Sequence, residues 1–144
     1  MSVNKSDRRE SAVEFDNTYF KVYFDAVWLI ENNFGAKGEI PEKKKWYIMM
    51  MSSTILKSVT EMGTHIRIAN SIFPTCKEEL IERRIEQDKA IGLCYDVMTK
   101  YQLTMTELKI PGDKHTDRIK NIIHEINCLK KWRQVDNKRF KNLG

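Results

Sequence analysis

Between Ile48 and Ala69, steps of three and four land only on apolar residues: Ile48, Met51, Ile55, Val59, Met62, Ile66 and Ala69. A strand turns its side chains to alternate faces, so only an α-helix collects these residues on one side. Such a helix is stable in water only when another surface covers its apolar stripe. The remaining sequence must supply that surface, and three further helical patterns do so.

The first helix is expected to begin near Ser11, because Ser11 and Glu14 have capping-box spacing. Phe15, Tyr19, Val22, Tyr23, Ala26 and Ile30 recur at helical steps, and Phe20, Phe24, Val27 and Trp28 widen the face expected to be buried. Asn32, Asn33 and Gly35 end it. Pro41 suits the first position of the second helix, where its missing N–H would be unsatisfied in any residue. The segment Ser71 to Thr75, with Pro74, breaks that helix, and Thr75 with Glu78 is a second capping-box pair. In the third helix Leu80, Ile81, Ile85, Ile91, Tyr95, Met98 and Met105 are expected on the buried face. Asp88 and Gln102 lie on or beside that stripe, which places them at an edge or in a polar interface. Ile110-Pro111-Gly112-Asp113 stops the chain and restarts it with Asp113 as N-cap. Ile119, Ile122, Ile123, Ile126, Leu129 and Trp132 form the stripe of the fourth helix. Only 3 Pro and 6 Gly interrupt the chain, so long helices are permitted throughout. The expected fold is all-α, an antiparallel up-down-up-down four-helix bundle over residues 11–140. Residues 1–10 read as a mobile N-terminal tail and 141–144 as a short C-terminal one.

Several function classes lack their residues. The longest apolar runs, such as Ala26 to Ile30, are too short to cross a bilayer, and no apolar stretch follows the basic residues near Met1. A cytoplasmic protein without a membrane partner is expected. Cys76, Cys94 and Cys128 match neither a zinc spacing nor a disulfide framework. A di-iron bundle needs Glu-x-x-His pairs, whereas Glu61 and His65 are four apart, and His115 and His124 complete no ligand set. Cys94 would be a nucleophile only if His65 or His124 reached it. No phosphate-binding loop, dinucleotide fingerprint or nucleophile elbow occurs. No catalytic residue, metal or cofactor is expected.

Charge beside aromatic residues remains. The chain is basic, +5 at pH 7, but unevenly so. Lys and Arg exceed Asp and Glu by three over residues 42–71 and by six over 114–144, and fall two short in each of the other two stretches. Lys43, Lys44 and Lys45 precede Trp46, Lys130 and Lys131 precede Trp132 and Arg133, and Lys138, Arg139 and Lys141 surround Phe140. The expected bundle brings the start of the second helix and the end of the fourth to one end, merging these runs into a nucleic-acid-binding patch. Trp46 and Trp132 each sit one step from an apolar stripe and are expected to pack within the bundle. The contrasting reading is an interaction bundle whose basic face is only solvated.

The run Ile40-Pro41-Glu42-Lys43-Lys44-Lys45-Trp46, the third-helix segments Glu82-Arg83-Arg84 and Asp88-Lys89-Ala90-Ile91-Gly92-Leu93, and the basic last helix around Trp132 carry a resemblance. In this order they resemble the accessory variability determinant of diversity-generating retroelements. That family is related to the four-helix-bundle proteins named after an insert in bacterial ribosomal RNA genes. The resemblance covers about residues 15 to 140. Family members often have glycines where this chain has Lys130 and Lys131, and the Asn-Ile-Ala-Glu-Gly motif of the sister branch is absent. The resemblance implies a homopentamer that binds a reverse transcriptase and RNA or DNA, assisting mutagenic copying without being the polymerase.

Overall fold

The stripe from Ile48 to Ala69 is the spine of the structure. In a computed structural model that describes residues 5–143, with side chains from Asn17 onward, all of its members but the half-buried Met51 are buried. The helix that carries them, α2, runs Glu42–Ser71; before it comes α1, Lys5–Glu31, and after it α3, Lys77–Glu107, and α4, Thr116–Arg139. Among the described residues there is no strand. Contacting pairs are α1 with α2, α2 with α3, α3 with α4, and α4 with α1. The helices therefore stand at the corners of a square, with α1 diagonal to α3, and the fold is an all-α bundle. Fully burying Ile55 or Leu29 stabilises it by about 1.5–3 kcal/mol each relative to exposure.

Interactions at the two ends fix the helix directions. At one end the short 3-10 turns Asn33–Gly35 and Gly112–His115 meet, with His115 Nε2 2.8 Å from the Phe34 carbonyl oxygen. Lys44 of α2 pairs there with Glu107 of α3. Gly35 has φ 80°, and a Cβ added to it would lie 3.1 Å from His115 Nε2, so conformation and space both call for glycine. At the other end Arg83, near the start of α3, meets Asp136, near the end of α4. The helices are antiparallel.

Several boundaries and faces differ from those expected. Helix α1 starts at Lys5, so Ser11 and Glu14 lie inside it and do not cap it. The side chains of that pair and of Phe15, and residues 1–4 of the expected tail, lie outside the described residues. Pro41 is the N-cap of α2 rather than its first residue; its extended ψ of 147° lets its carbonyl accept from Lys44 and Lys45 N–H. Helix α3 begins one residue after Cys76, and the Thr75 N–H and hydroxyl donate to Glu79 rather than Glu78. Asp113 lies in a 3-10 turn, and α4 starts after His115.

The largest difference is on α3. Its buried stripe is Leu80, Arg83, Gln87, Ala90, Cys94, Val97, Tyr101 and Thr104, with Ile91 and Met105 beside it. Ile81, Ile85 and Tyr95, expected inside, are exposed, as are Asp88 and Gln102. On α1 the core face is Val22, Ala26 and Leu29, while Phe20, Phe24 and Trp28 form an exposed aromatic stripe. On α4 Ile123 is exposed, and Glu125 and Asp136 are buried with Ile122, Ile126, Leu129 and Trp132.

Two carboxylates between α2 and α3 make stability depend on pH. A hydrogen bond with His65 holds Glu86 below the usual carboxylate range, against the opposing effect of burial. Burial would raise Asp96, but bonds from Lys100 Nζ at 2.8 Å and Ser58 Oγ at 2.6 Å outweigh it and lower the group. Both groups take up protons more readily when unfolded, so their contribution is present above their ordinary values of 4.5 and 3.8 and is lost as pH falls through the lowered folded values. The urea midpoint is therefore expected to fall between about pH 5 and about pH 3, and less steeply in Glu86→Gln. A midpoint unchanged over that range would contradict this.

Candidate nucleic-acid interface

The antiparallel arrangement separates the basic runs that the sequence reading merged. The start of α2 shares an end with the finish of α1, the finish of α3 and the start of α4. The finish of α4 is at the opposite end, beside the start of α3 and the finish of α2. Lys43, Lys44 and Lys45 therefore form no common patch with Lys130 to Lys141. The physical reason is parity: each reversal exchanges ends, and two reversals separate the start of the second helix from that of the fourth. Lys44 is also paired with Glu107, and Lys45 with Glu42 at 3.1 Å, which leaves Lys43 the most available of the three.

What replaces the shared end is a row along α4. After Asp117 the helix contains only two acidic residues, Glu125 and Asp136, and both are fully buried. Every exposed charged side chain on α4 beyond Asp117 is therefore cationic or a histidine. Lys120, Lys131 and Lys138 are spaced eleven and seven residues apart, which keeps them on one outward line. They span about 27 Å at 1.5 Å per residue. Lys141 is exposed just beyond the helix end.

The remaining predicted cations are held against the bundle. Lys130 Nζ donates to Tyr95 Oη at 3.2 Å, and Arg133 Nη1 is 2.8 Å from Asp88 Oδ1. Arg139 lies over the Phe140 ring at 5.6 Å. Asp88 thus works within the chain as a brace between α3 and α4. Trp132 is buried beneath the row as expected, with the Arg83 guanidinium over its ring at 4.9 Å. Trp46 does not pack as expected: it precedes Ile48 by two residues, which turns it away from the α2 stripe and leaves it 60% exposed.

Lys120 was missed by the sequence reading, and its signal was present in its spacing to Lys131. The burial of the two carboxylates was also legible, since Glu125 and Asp136 fall four before and seven after Leu129 on the same stripe.

Burial pushes the Cys94 thiol up, with the Glu125 carboxylate adding to the effect, and its polar neighbour is Met62 Sδ at 3.6 Å. His65 is engaged with Glu86, and His124 Nε2 lies 3.8 Å from Cys128 Sγ. Among the described residues no group of three or more His, Cys, Asp or Glu is placed to hold a metal ion, and no helix is long and apolar enough to cross a membrane. Comparison with known proteins finds no matching family model, no similar curated protein and no similar solved structure.

Proposed function

We propose that this chain is a non-catalytic accessory protein of a diversity-generating retroelement, acting in the cytoplasm, that binds nucleic acid through the outer face of α4. The observation that supports this most is the withdrawal of both Glu125 and Asp136 into the core, which leaves an outward row of lysines with no exposed carboxylate on the same helix beyond Asp117. A cationic row of that kind attracts phosphates irrespective of base sequence and loses affinity steeply with salt. The reverse transcriptase as partner and the number of subunits, five, come from the family resemblance. Self-association itself has independent support in the exposed stripe Phe20, Phe24 and Trp28, since contiguous apolar surface of this kind marks interaction sites.

The test replaces Lys131 and Lys138 with Glu and measures binding to a long RNA and a long DNA at two salt concentrations. Affinity for both is expected to fall at least about tenfold, with each lost phosphate contact reducing the salt slope by about 0.7–0.9. Lys130→Glu and Arg133→Glu should add smaller losses, and reversal of Lys43 and Lys45 at the other end smaller ones still. Unchanged binding by a folded Lys131→Glu/Lys138→Glu protein would move the site elsewhere. No binding by the parent protein would favour the interaction bundle.

A further inference from the structure

The outer face of α3 has a second pattern that the bundle core does not use. Ile81, Ile85, Gly92, Tyr95, Thr99 and Leu103 share one side of the helix, and its apolar members are well exposed, Ile81 and Ile85 by 45% and Leu103 by 56%. Gly92 lies mid-helix, where glycine is the least favourable residue except proline. A Cβ added there would meet nothing within 4 Å, so no contact inside the chain calls for glycine. Close approach of another backbone would.

The charges beside this face indicate which backbone. Asp96 and Lys100 both bond Ser58, which places them on the flank toward α2. Glu82 and Lys89 precede Asp96 at seven-residue intervals and share that flank, giving the order Glu82, Lys89, Asp96, Lys100. The order is self-complementary about Gly92. A two-fold rotation through Gly92 lays two α3 helices antiparallel and keeps like flanks on the same side. It brings Glu82 beside Lys100 of the partner subunit and Lys89 beside Asp96 of the partner subunit, and symmetry repeats both contacts. On the other flank Asp88 approaches Tyr95 of the partner subunit. Ile81 and Leu103 are both eleven residues from Gly92, so each covers the other across the seam.

We infer that α3 pairs with the α3 of a second copy in an antiparallel two-fold seam centred on Gly92. The seam is separate from the aromatic stripe of α1 and does not depend on nucleic-acid binding. Leu at position 92 would hold the helices apart without touching its own bundle. Lys at position 82 would set like charges against each other.

Sedimentation velocity across micromolar concentrations tests the seam on the parent, Gly92→Leu and Glu82→Lys, each also combined with Phe24→Glu to remove the α1 stripe from assembly. Gly92→Leu is expected to retain its helical circular dichroism and to weaken pairing at least about tenfold in both backgrounds. Glu82→Lys should weaken it at low salt and less at high salt. Phe24→Glu alone should still form a dimer. Association of Gly92→Leu at the parent's strength, a folded but monomeric Phe24→Glu protein, or Glu82→Lys pairing as tightly as the parent at low salt would overturn the seam.

Discussion

Asp136→Ala is expected to cost about 3–5 kcal/mol of folding stability, because it leaves the Arg83 guanidinium charged and buried without its counter-ion. Asp136 is fully buried and accepts from Arg83 Nε at 2.7 Å, Arg83 Nη2 at 3.1 Å and Gln87 Nε2 at 2.7 Å. Arg83 Nη1 donates to the Ala69 and Ile72 carbonyls at 3.3 and 2.8 Å, so one guanidinium closes the end of α2 and anchors the end of α4. Those carbonyls alone do not neutralise the charge. A domain of this size has about 5–15 kcal/mol in total, so the variant should be close to unfolding at room temperature. Removing both charges, as Arg83→Met with Asp136→Leu, should recover much of the loss, since an apolar pair needs no counter-ion. Urea denaturation of Arg83→Met, Asp136→Leu and the double variant measures the coupling. A loss below about 1 kcal/mol in Asp136→Ala would show that water reaches the pair.

Gly63→Ala and Gly92→Ala should shift stability in opposite directions although both glycines are inside long helices. At Gly63 an added Cβ would lie 2.4 Å from Tyr19 Oη and 2.6 Å from Tyr19 Cζ, where α1 crosses α2. Tyr19 is fixed by donating to the Val59 carbonyl at 2.8 Å, so its ring cannot withdraw without losing that bond. Overpacking of this kind costs about 1–3 kcal/mol and exceeds the gain of about 1 kcal/mol in helix propensity. At Gly92 the space is open, and only the propensity gain of about 1 kcal/mol remains, read on the monomer at low concentration. Pairing Gly63→Ala with Tyr19→Leu should remove most of the Gly63 penalty. Equal and additive losses in that double-mutant cycle would mean the two residues do not meet.

The regions where the sequence was legible and where it was not have specific causes. The α2 stripe was readable because every one of its positions is apolar. The α3 stripe was not, because its second and third positions are the polar Arg83 and Gln87, while the nearby Ile81 and Ile85 are apolar at helical spacing. Those two isoleucines belong to the outer face, and what places Arg83 inside is a partner 53 residues away, which no local period announces. Aromatic residues misled for a related reason: Phe20, Phe24 and Trp28 obey helical spacing as well as Val22 and Ala26 do, and hydrophobicity alone does not say which face meets the bundle. The basic residues themselves lie exposed or half-buried at the surface. Their grouping failed because it rested on counting reversals of the chain, where a single miscount exchanges one end of the bundle for the other.

Folding also sorts the charges of α4. Along the extended chain Glu125 and Asp136 are interleaved with lysines, and a polyanion passing that segment meets a partly self-neutralised string. Once the bundle closes, both carboxylates turn inward, Asp136 onto the Arg83 guanidinium, and the lysines turn out, so the same residues present a cationic face to solvent. A formal charge of +5 for the whole chain therefore understates the field at this one surface. Any polyanion drawn to that field interacts more strongly with the folded chain than with the unfolded one, and by mass action it would hold the bundle closed.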